Sequence, residues 1–529
     1  MTAGKSSIAG EWQAAGTSYF HSVDPRTRKA GETRFYSATA QEIDAAVRAA
    51  ADAFAATRLF PASTLADFLD TSAEEIEAAA DSLVVTADAE TALGSVRLTG
   101  ELARTTGQLR AFSALLREGS HVAAVIDTAL PQRTPLPRPD VRRMLLPLGP
   151  VAVFSASNFP FAFSTAGGDS AAALAAGCPV VVKGHPGHPA TSERFAHAIN
   201  AAVSACGFPP GFFSLLQGDG HDVGRRLVEH PLLEAVGFTG SLQGGRALHD
   251  LAAQRPRPIP VFAEMGSINP VVITAAALAE RGAEIVQGLA ASATLGAGQF
   301  CTNPGLVLLP ESEEARTFIA DYRDAMLGIE AGILLNAAVE SGLTRSVGRS
   351  ASLEGVRSHT RENANRTDGF CYPHTVLETD AATFLENPDL QEEHFGPVTL
   401  FVACSGDEEL DRVLRSLAGQ LTGSIHCGSE EGESLQPLLD TLRERVGRLI
   451  WNGYPTGVEV TAAMQHGGPW PATNAAGTTS VGTNAIRRFL RPVAWQDVPD
   501  ELLPEALRNG NPLGILRQVN SDFTREPIA

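Results

Sequence analysis

The stretch 151-VAVFSASNFPFAFSTAGGDSAAALAAGCPVVVKGHPGHPATSERFAHAIN-200 decides the fold. VAVFSAS is a short apolar run of the kind buried in a sheet, and 164-STAGGDSAAALAAG-177 has a helical pattern closed by glycine. PVVVK (179–183) repeats the strand signal, and 190-ATSERFAHAINAAVSACG-207 repeats the helix. Working outward, LLEAVGFTG (232–240), SLQGGRALHDLAA (241–253) and PVFAEMG (260–266) continue as strand and turn, helix, strand and turn. Alternation at this pitch needs right-handed crossovers, which predicts an α/β protein with a parallel, doubly wound sheet.

The flanks have different character. Ala- and Glu-rich helical patterns occupy 41–56 and 73–90, and a second α/β stretch runs from about 267 to 476. The prolines of 131-PQRTPLPRPDVRRMLLPLGP-150 exclude a regular helix, so an extended arm is expected there. The extended tail 480-SVGTNAIRRFLRPVAWQDVP-499 is a candidate to pair with it. Sixty acidic against 41 basic side chains give a formal charge of −19, which argues against nucleic acid or an anionic membrane as the main partner. Six scattered cysteines lack zinc-ligand spacing and suit reduced thiols of a cytoplasmic protein, so neither a metal nor a disulfide framework is expected. The N-terminal residues carry no apolar h-region, and apolar runs are too short and broken to span a bilayer.

Four segments carry chemistry. In 296-GAGQFCTNPG-305 a cysteine follows a glycine-rich approach and precedes an Asn-Pro-Gly turn, as an exposed nucleophilic thiol requires; a buried structural cysteine is the bland alternative. In 262-FAEMGSINPVVI-273, Glu264 ends an apolar strand at a carboxyl-terminal sheet edge. Such apolar company should raise its pKa and suit a general base, whereas a capping or ion-paired carboxylate is the other reading. Asn158, at the strand-to-loop corner before Phe159-Pro160, can donate to an oxyanion or simply make its own turn. Gly240 and Ser241 open the helix after AVGFT, where backbone N–H groups attract phosphate, and Lys183 ends PVVVK where it can hold ribose or phosphate.

Together and in this order, these residues resemble the aldehyde dehydrogenase superfamily over essentially the whole chain. The resemblance rests on Asn158-Phe159-Pro160, Val182-Lys183, Phe238-Thr239-Gly240-Ser241, Glu264-Met265-Gly266, Gly298-Gln299-Phe300-Cys301 and Glu393-His394-Phe395-Gly396-Pro397. It implies a Rossmann-type cofactor domain (1–130 and 149–263), an α/β catalytic domain (264–476) and a small β oligomerisation arm with a tail (131–148 and 477–529), assembled as homodimer or homotetramer. It further implies Cys301 as nucleophile, Glu264 as base, and Asn158 with the Cys301 N–H as oxyanion donors. Lys183 and Glu393 would hold cofactor ribose, Phe395 would pack near the nicotinamide ribose, and Gly240 and Ser241 would face the pyrophosphate.

The sequence departs from the common pattern at Ser157, in EMGSINP (264–270), and at Pro186, where many members carry an acidic residue. Loss of that acid removes a repulsion against a 2′-phosphate, and His185, His221 or Arg225 could supply donors. NADP is therefore expected to be accepted well, with NAD also possible. TTGQLR (105–110), GHPGHPATSE (184–193) and GQFCTNPG (298–305) are most similar to the α-ketoglutarate semialdehyde (2,5-dioxovalerate) dehydrogenases of sugar-acid catabolism. For such a substrate, Arg104 or Arg110 is expected to anchor the distal carboxylate, with Phe159, Phe163 and Phe300 as walls. The same phenylalanines suit the tunnel of a fatty aldehyde dehydrogenase, the alternative activity. A coenzyme-A-acylating enzyme would have no need of Glu264, and an inactive structural homologue no need of the three catalytic residues together.

Overall fold

Three large sheets organise the computed structural model, which describes residues 3–361 and 368–528. The first runs Val261–Glu264, Ala235–Thr239, Val151–Phe154, Val180–Lys183, Phe213–Leu216, then the hairpin Ser6–Ile8 and Glu11–Gln13. The strands from Val261–Glu264 to Phe213–Leu216 are parallel, and the hairpin is antiparallel. From Val151–Phe154 the chain builds to one side as far as Phe213–Leu216. It then returns and builds to the other with Ala235–Thr239. That reversal creates a switch point beside Val151–Phe154, and open α/β sheets take their ligands in the crevice beyond the strand ends there.

The strands read as unbroken apolar runs because both faces are covered. Every residue of the helix Gly168–Ala175 is buried, and one glycine, one serine and four alanines among its eight residues let it sit close to the sheet. Helix Pro189–Ala205 starts with proline, which lacks the N–H that would be unpaired at that position. Its next two N–H groups, of Ala190 and Thr191, donate to the buried carboxylate of Glu90 at 2.9 Å each. The single helix expected over 73–90 is in fact the end of Ala62–Ala78 and the helix Ala80–Thr91. Ala79 lies between them with φ −95° and ψ 4°, a break that no glycine or proline signals.

The second sheet runs Arg357–Thr360, Thr375–Asp380, Val398–Cys404, Leu306–Pro310, Pro270–Ile273, Gln420–His426 and Val446–Trp451, parallel except for its first strand. The third joins the proline-rich segment to the tail. Leu490–Gln496 pairs antiparallel with Val141–Pro147 along its whole length, from Leu490 opposite Pro147 to Gln496 opposite Val141. Val125–Asp127 continues this sheet and is followed by Arg517–Val519 and Asp522–Thr524. Among the described residues, no helix is long and apolar enough to cross a membrane.

Candidate active site

The thiol of Cys301 is placed by backbone that few sequences could follow. After helix Ala275–Thr294, Gly296, Ala297 and Gly298 take φ of 57°, 57° and 70° in succession. At Gly298 a Cβ would lie 2.3 Å from the backbone of Gly396, so only glycine fits this approach. Behind the turn stands Asn269, whose Nδ2 donates to the carbonyls of Cys301 and Asn303, both at 2.9 Å. Asn269 itself has a φ of 49°, and its Oδ1 accepts from Ser267 and Thr422. The thiol is thereby half-buried and fixed, with its own backbone N–H turned to it.

Glu264 ends the edge strand of the first sheet and is 1% exposed. Its Oε2 accepts from Nδ1 of His466 at 2.7 Å and from the hydroxyl of Ser480. Its Oε1 is buried without a partner among the described residues. Nε2 of His466 lies 3.6 Å from the Cys301 sulfur, so thiol, imidazole and carboxylate form a chain. One ligand-type atom from each lies within 4.8 Å of the other two, a closeness these contacts already explain.

The raised pKa expected of Glu264 is corrected here. Burial pushes it upward, but the charge that His466 carries when protonated, with the hydrogen bonds of His466 and Ser480, outweighs burial and holds the carboxyl below its ordinary range. Burial pushes the Cys301 thiol well up, and the charges of Glu264 and Glu393 push it further, against the pull of Arg104.

Asn158 is 8% exposed, and one N–H of its amide donates to the Gln299 carbonyl at 3.0 Å. An amide has two N–H donors, so the second is left for an oxyanion. Phe159, Phe163 and Phe300 do converge: the Phe159 ring meets Phe163 at 5.5 Å and Phe300 at 5.2 Å, both edge-on. Phe163 also faces the His466 ring at 6.1 Å.

The two arginines offered as anchors separate. Arg104 lies over Phe159 and Phe163 at 5.8 and 5.3 Å, and no hydrogen bond or ion pair holds its guanidinium among the described residues; its Nε is buried and unpartnered. Arg110 is exposed and locked to Glu77 by two bonds of 2.5 and 2.7 Å, so it is not part of this site. Arg97, which sequence reasoning passed over, lies over Phe159 and Phe300 at 5.0 and 4.8 Å and donates to the Asn158 carbonyl at 2.6 Å. Between them on the same helix, Glu101 turns its carboxylate to the N–H groups of Phe161 and Ala162 at 2.8 and 2.9 Å.

A cleft beside the Cys301 turn is lined by Ser267, Gly298, Phe300, Glu393 and Phe395. Burial raises Glu393 to about 7. Lys183 ends the strand paired with Val151–Phe154, half-buried, its ammonium without a hydrogen bond among the described residues, and burial lowers it to about 8. Ser241 caps helix Leu242–Ala253 by accepting from Gly244 at 3.1 Å, and leaves the first N–H groups open. At Gly245 a Cβ would lie 2.6 Å from the Met265 side chain, which ties this helix to the Glu264 loop.

The donors expected for a 2′-phosphate are poorer than the sequence suggested. Arg225 already donates to Asp222 and Glu229 at 2.7 and 2.8 Å. His185 is kept neutral by burial, His188 and Lys183, and its Nδ1 accepts from Gly187 at 3.0 Å. His221 begins a helix at the surface, and Pro186 sits in the turn beyond Lys183.

A fixed thiol, a carboxylate held ionised and an amide donor converge here beside an open α/β sheet, an arrangement suited to nucleophilic attack on a carbonyl. The chain belongs to the aldehyde dehydrogenase family, which residues 12–476 match, and it is an oxidoreductase. It is 48% identical over 519 residues to "Alpha-ketoglutaric semialdehyde dehydrogenase 2" of Azospirillum brasilense, covering 98% of each chain. It is 44% identical over 522 residues to "Alpha-ketoglutaric semialdehyde dehydrogenase" of Acinetobacter baylyi, covering 99% of each. Betaine aldehyde dehydrogenase of Staphylococcus aureus, solved with NAD+, has the same fold: TM-score 0.80 at 20% identity, over 94% of this chain and 95% of that one.

Proposed function

We propose that the protein oxidises a short semialdehyde with a distal carboxylate, namely α-ketoglutarate semialdehyde, to 2-oxoglutarate. The observation that carries this reading is Arg104, an unpaired guanidinium over the aromatic walls beside the thiol. A buried cation without a partner is costly, and a carboxylated substrate supplies the missing partner through a two-bonded fork. Arg97 and Arg448 add positive charge around the same mouth, which disfavours the apolar tunnel of a fatty aldehyde enzyme. The names of the two relatives from Azospirillum and Acinetobacter agree with it.

In this reading the Cys301 sulfur adds to the aldehyde carbon. The free N–H of Asn158 and the backbone N–H of Cys301 hold the oxyanion that forms. A nicotinamide dinucleotide, when bound, supplies the hydride acceptor. The chain's own residues fit such a group: Lys183 and Glu393 stand ready for ribose, and the N–H groups after Ser241 for pyrophosphate. Glu264, ionised, receives a proton from the water that hydrolyses the thioester of Cys301. Pro186 offers no charge against a 2′-phosphate, while Arg225 and His185 have little to give one, so both NAD and NADP are used. Copies of the chain associate through the sheet that joins the arm and the tail.

The test is kcat/KM for α-ketoglutarate semialdehyde, succinic semialdehyde, hexanal and decanal, with either dinucleotide, on the parent and Arg104→Ala. Losing one partner of a desolvated charge pair costs about 2–5 kcal/mol, so the carboxylated aldehydes should fall about 10²-fold and the others little. If decanal is the best substrate of the parent, or Arg104→Ala slows all four alike, the carboxylate reading fails.

A further inference from the structure

We propose that His466 is a catalytic residue: its Nε2 takes the proton of the Cys301 thiol, while Glu264 holds its Nδ1–H and stabilises the imidazolium. The inference rests on the reading of Cys301 as the nucleophile. It does not depend on which aldehyde is the substrate.

The geometry fixes the direction of the chain. An ionised carboxylate can only accept, so Nδ1 of His466 carries the hydrogen that faces Glu264 Oε2 at 2.7 Å. In the neutral ring Nε2 is then the bare nitrogen, and it lies 3.6 Å from the sulfur. The ring is not free to turn away. His466 is 3% exposed, its backbone N–H donates to Thr479 Oγ1 at 2.9 Å, and Phe163 covers its side. Oε2 of Glu264 is spent on His466 and Ser480, so the carboxylate acts on the thiol through the ring. Oε1 remains open for the hydrolytic water. One carboxylate thus serves both half-reactions, one oxygen for each.

The step balances within the three residues. The S–H bond breaks and an N–H bond forms at Nε2, the electron pair stays on sulfur, and the charge of the group stays at that of Glu264 alone. The thiol needs such a base, because burial and the nearby carboxylates oppose an isolated thiolate. The other charged groups around this chain are Arg104, Arg448 and Glu393 on the sulfur side, and the buried Arg488–Asp169 pair on the Glu264 side. Arg104 favours the thiolate, whereas Glu393 opposes it.

The experiment measures alkylation of Cys301 by iodoacetamide against pH, with the labelled peptide identified by mass, in the parent, His466→Phe and His466→Gln. The parent should alkylate along an inflection that lies well below that of an unassisted buried thiol. Both variants should lose that inflection and alkylate at pH 7 roughly 10²-fold more slowly, the usual contribution of one positioned base. Glutamine keeps a polar group in place of the ring but cannot take a proton, so it separates proton transfer from packing. If His466→Gln keeps the parent profile, the proposal is overturned even where His466→Phe is misfolded. Cys301→Ala distinguishes the two levels: turnover surviving in that variant overturns the nucleophile itself, whereas parent-like alkylation in the His466 variants overturns only the relay.

Discussion

At Glu264 the two carboxylate oxygens have different surroundings, and a substitution can part their tasks. In Glu264→Gln, the amide oxygen can still receive Nδ1–H of His466, so the thiol is still attacked by a base, though without the charge that steadies the imidazolium. Nothing then takes a proton from the hydrolytic water. We expect one equivalent of reduced dinucleotide per active site in a burst, followed by a stall at the thioester, read by stopped-flow absorbance and by the mass of the acylated Cys301 peptide. Parent-rate turnover would remove Glu264 from the mechanism. The identities of Cys301 and Glu264 were legible because each sits in a local run whose glycines and strand end state its setting. The environment of Glu264 was not, because the residue that reverses its expected pKa is 202 positions away in sequence. His466 lies in a glycine- and proline-rich loop, QHGGPWP (465–471), that carries no periodicity and no motif. The arginines were half legible. Arg97 and Arg104 are seven residues apart, hence on one helix face, while six residues separate Arg104 from Arg110 and turn it well away.

Among the elements, helix Pro189–Ala205 shows how a buried charge couples to pH. Glu90 accepts from Ala190 N, Thr191 N and Thr191 Oγ1 at 2.8–2.9 Å, yet burial raises its pKa to about 7. An acid whose pKa is higher folded than unfolded binds more protons in the folded state between the two values. Its ionisation therefore takes stability away as pH climbs from the ordinary carboxylate range through about 7, and adds no further loss above it. Glu90→Gln cannot ionise, so the parent's advantage in Tm over this variant should be greatest at pH 4 and below and shrink steadily by pH 8. A gap that widens with pH would show that ionised Glu90 is the better cap. The strands Val151–Phe154, Val180–Lys183, Ala235–Thr239 and Val261–Glu264 were legible as apolar runs between turn residues, as was the pairing of the proline-rich segment with the tail, whereas the second sheet was legible only as an α/β stretch over 267–476. The break at Ala79 was not: alanine is the best helix former, and nothing in the local sequence marks a bend there.

For the molecule as a whole, the last stretch of chain, 500–528, is the piece whose removal tests how far the arm stands apart from the chemistry. It holds Arg142, which is 6% exposed, through Leu507 O at 2.6 Å, Asn509 Oδ1 at 2.8 Å and Asp500 at 3.4 Å. It also brings in Arg517, 1% exposed and bonded to the carbonyls of Arg508, Asn509 and Glu526. Strand Arg517–Val519 covers the edge of Val125–Asp127, and Leu503, Leu507 and Ile515 pack on Ile126 and Met144. Truncation after residue 499 leaves one buried guanidinium short of acceptors, bares a strand edge and opens an apolar cluster, three changes that favour association with other chains. None of these residues belongs to the site around Cys301. The truncated protein should therefore melt at a lower temperature and aggregate, while its soluble fraction alkylates Cys301 with iodoacetamide at the parent rate. Light scattering during a thermal ramp, set beside that alkylation rate, reads both halves. A truncated chain that stays monodisperse with an unchanged Tm would show the tail to be dispensable to the sheet, and a soluble fraction with an altered alkylation rate would show that the arm shapes the site.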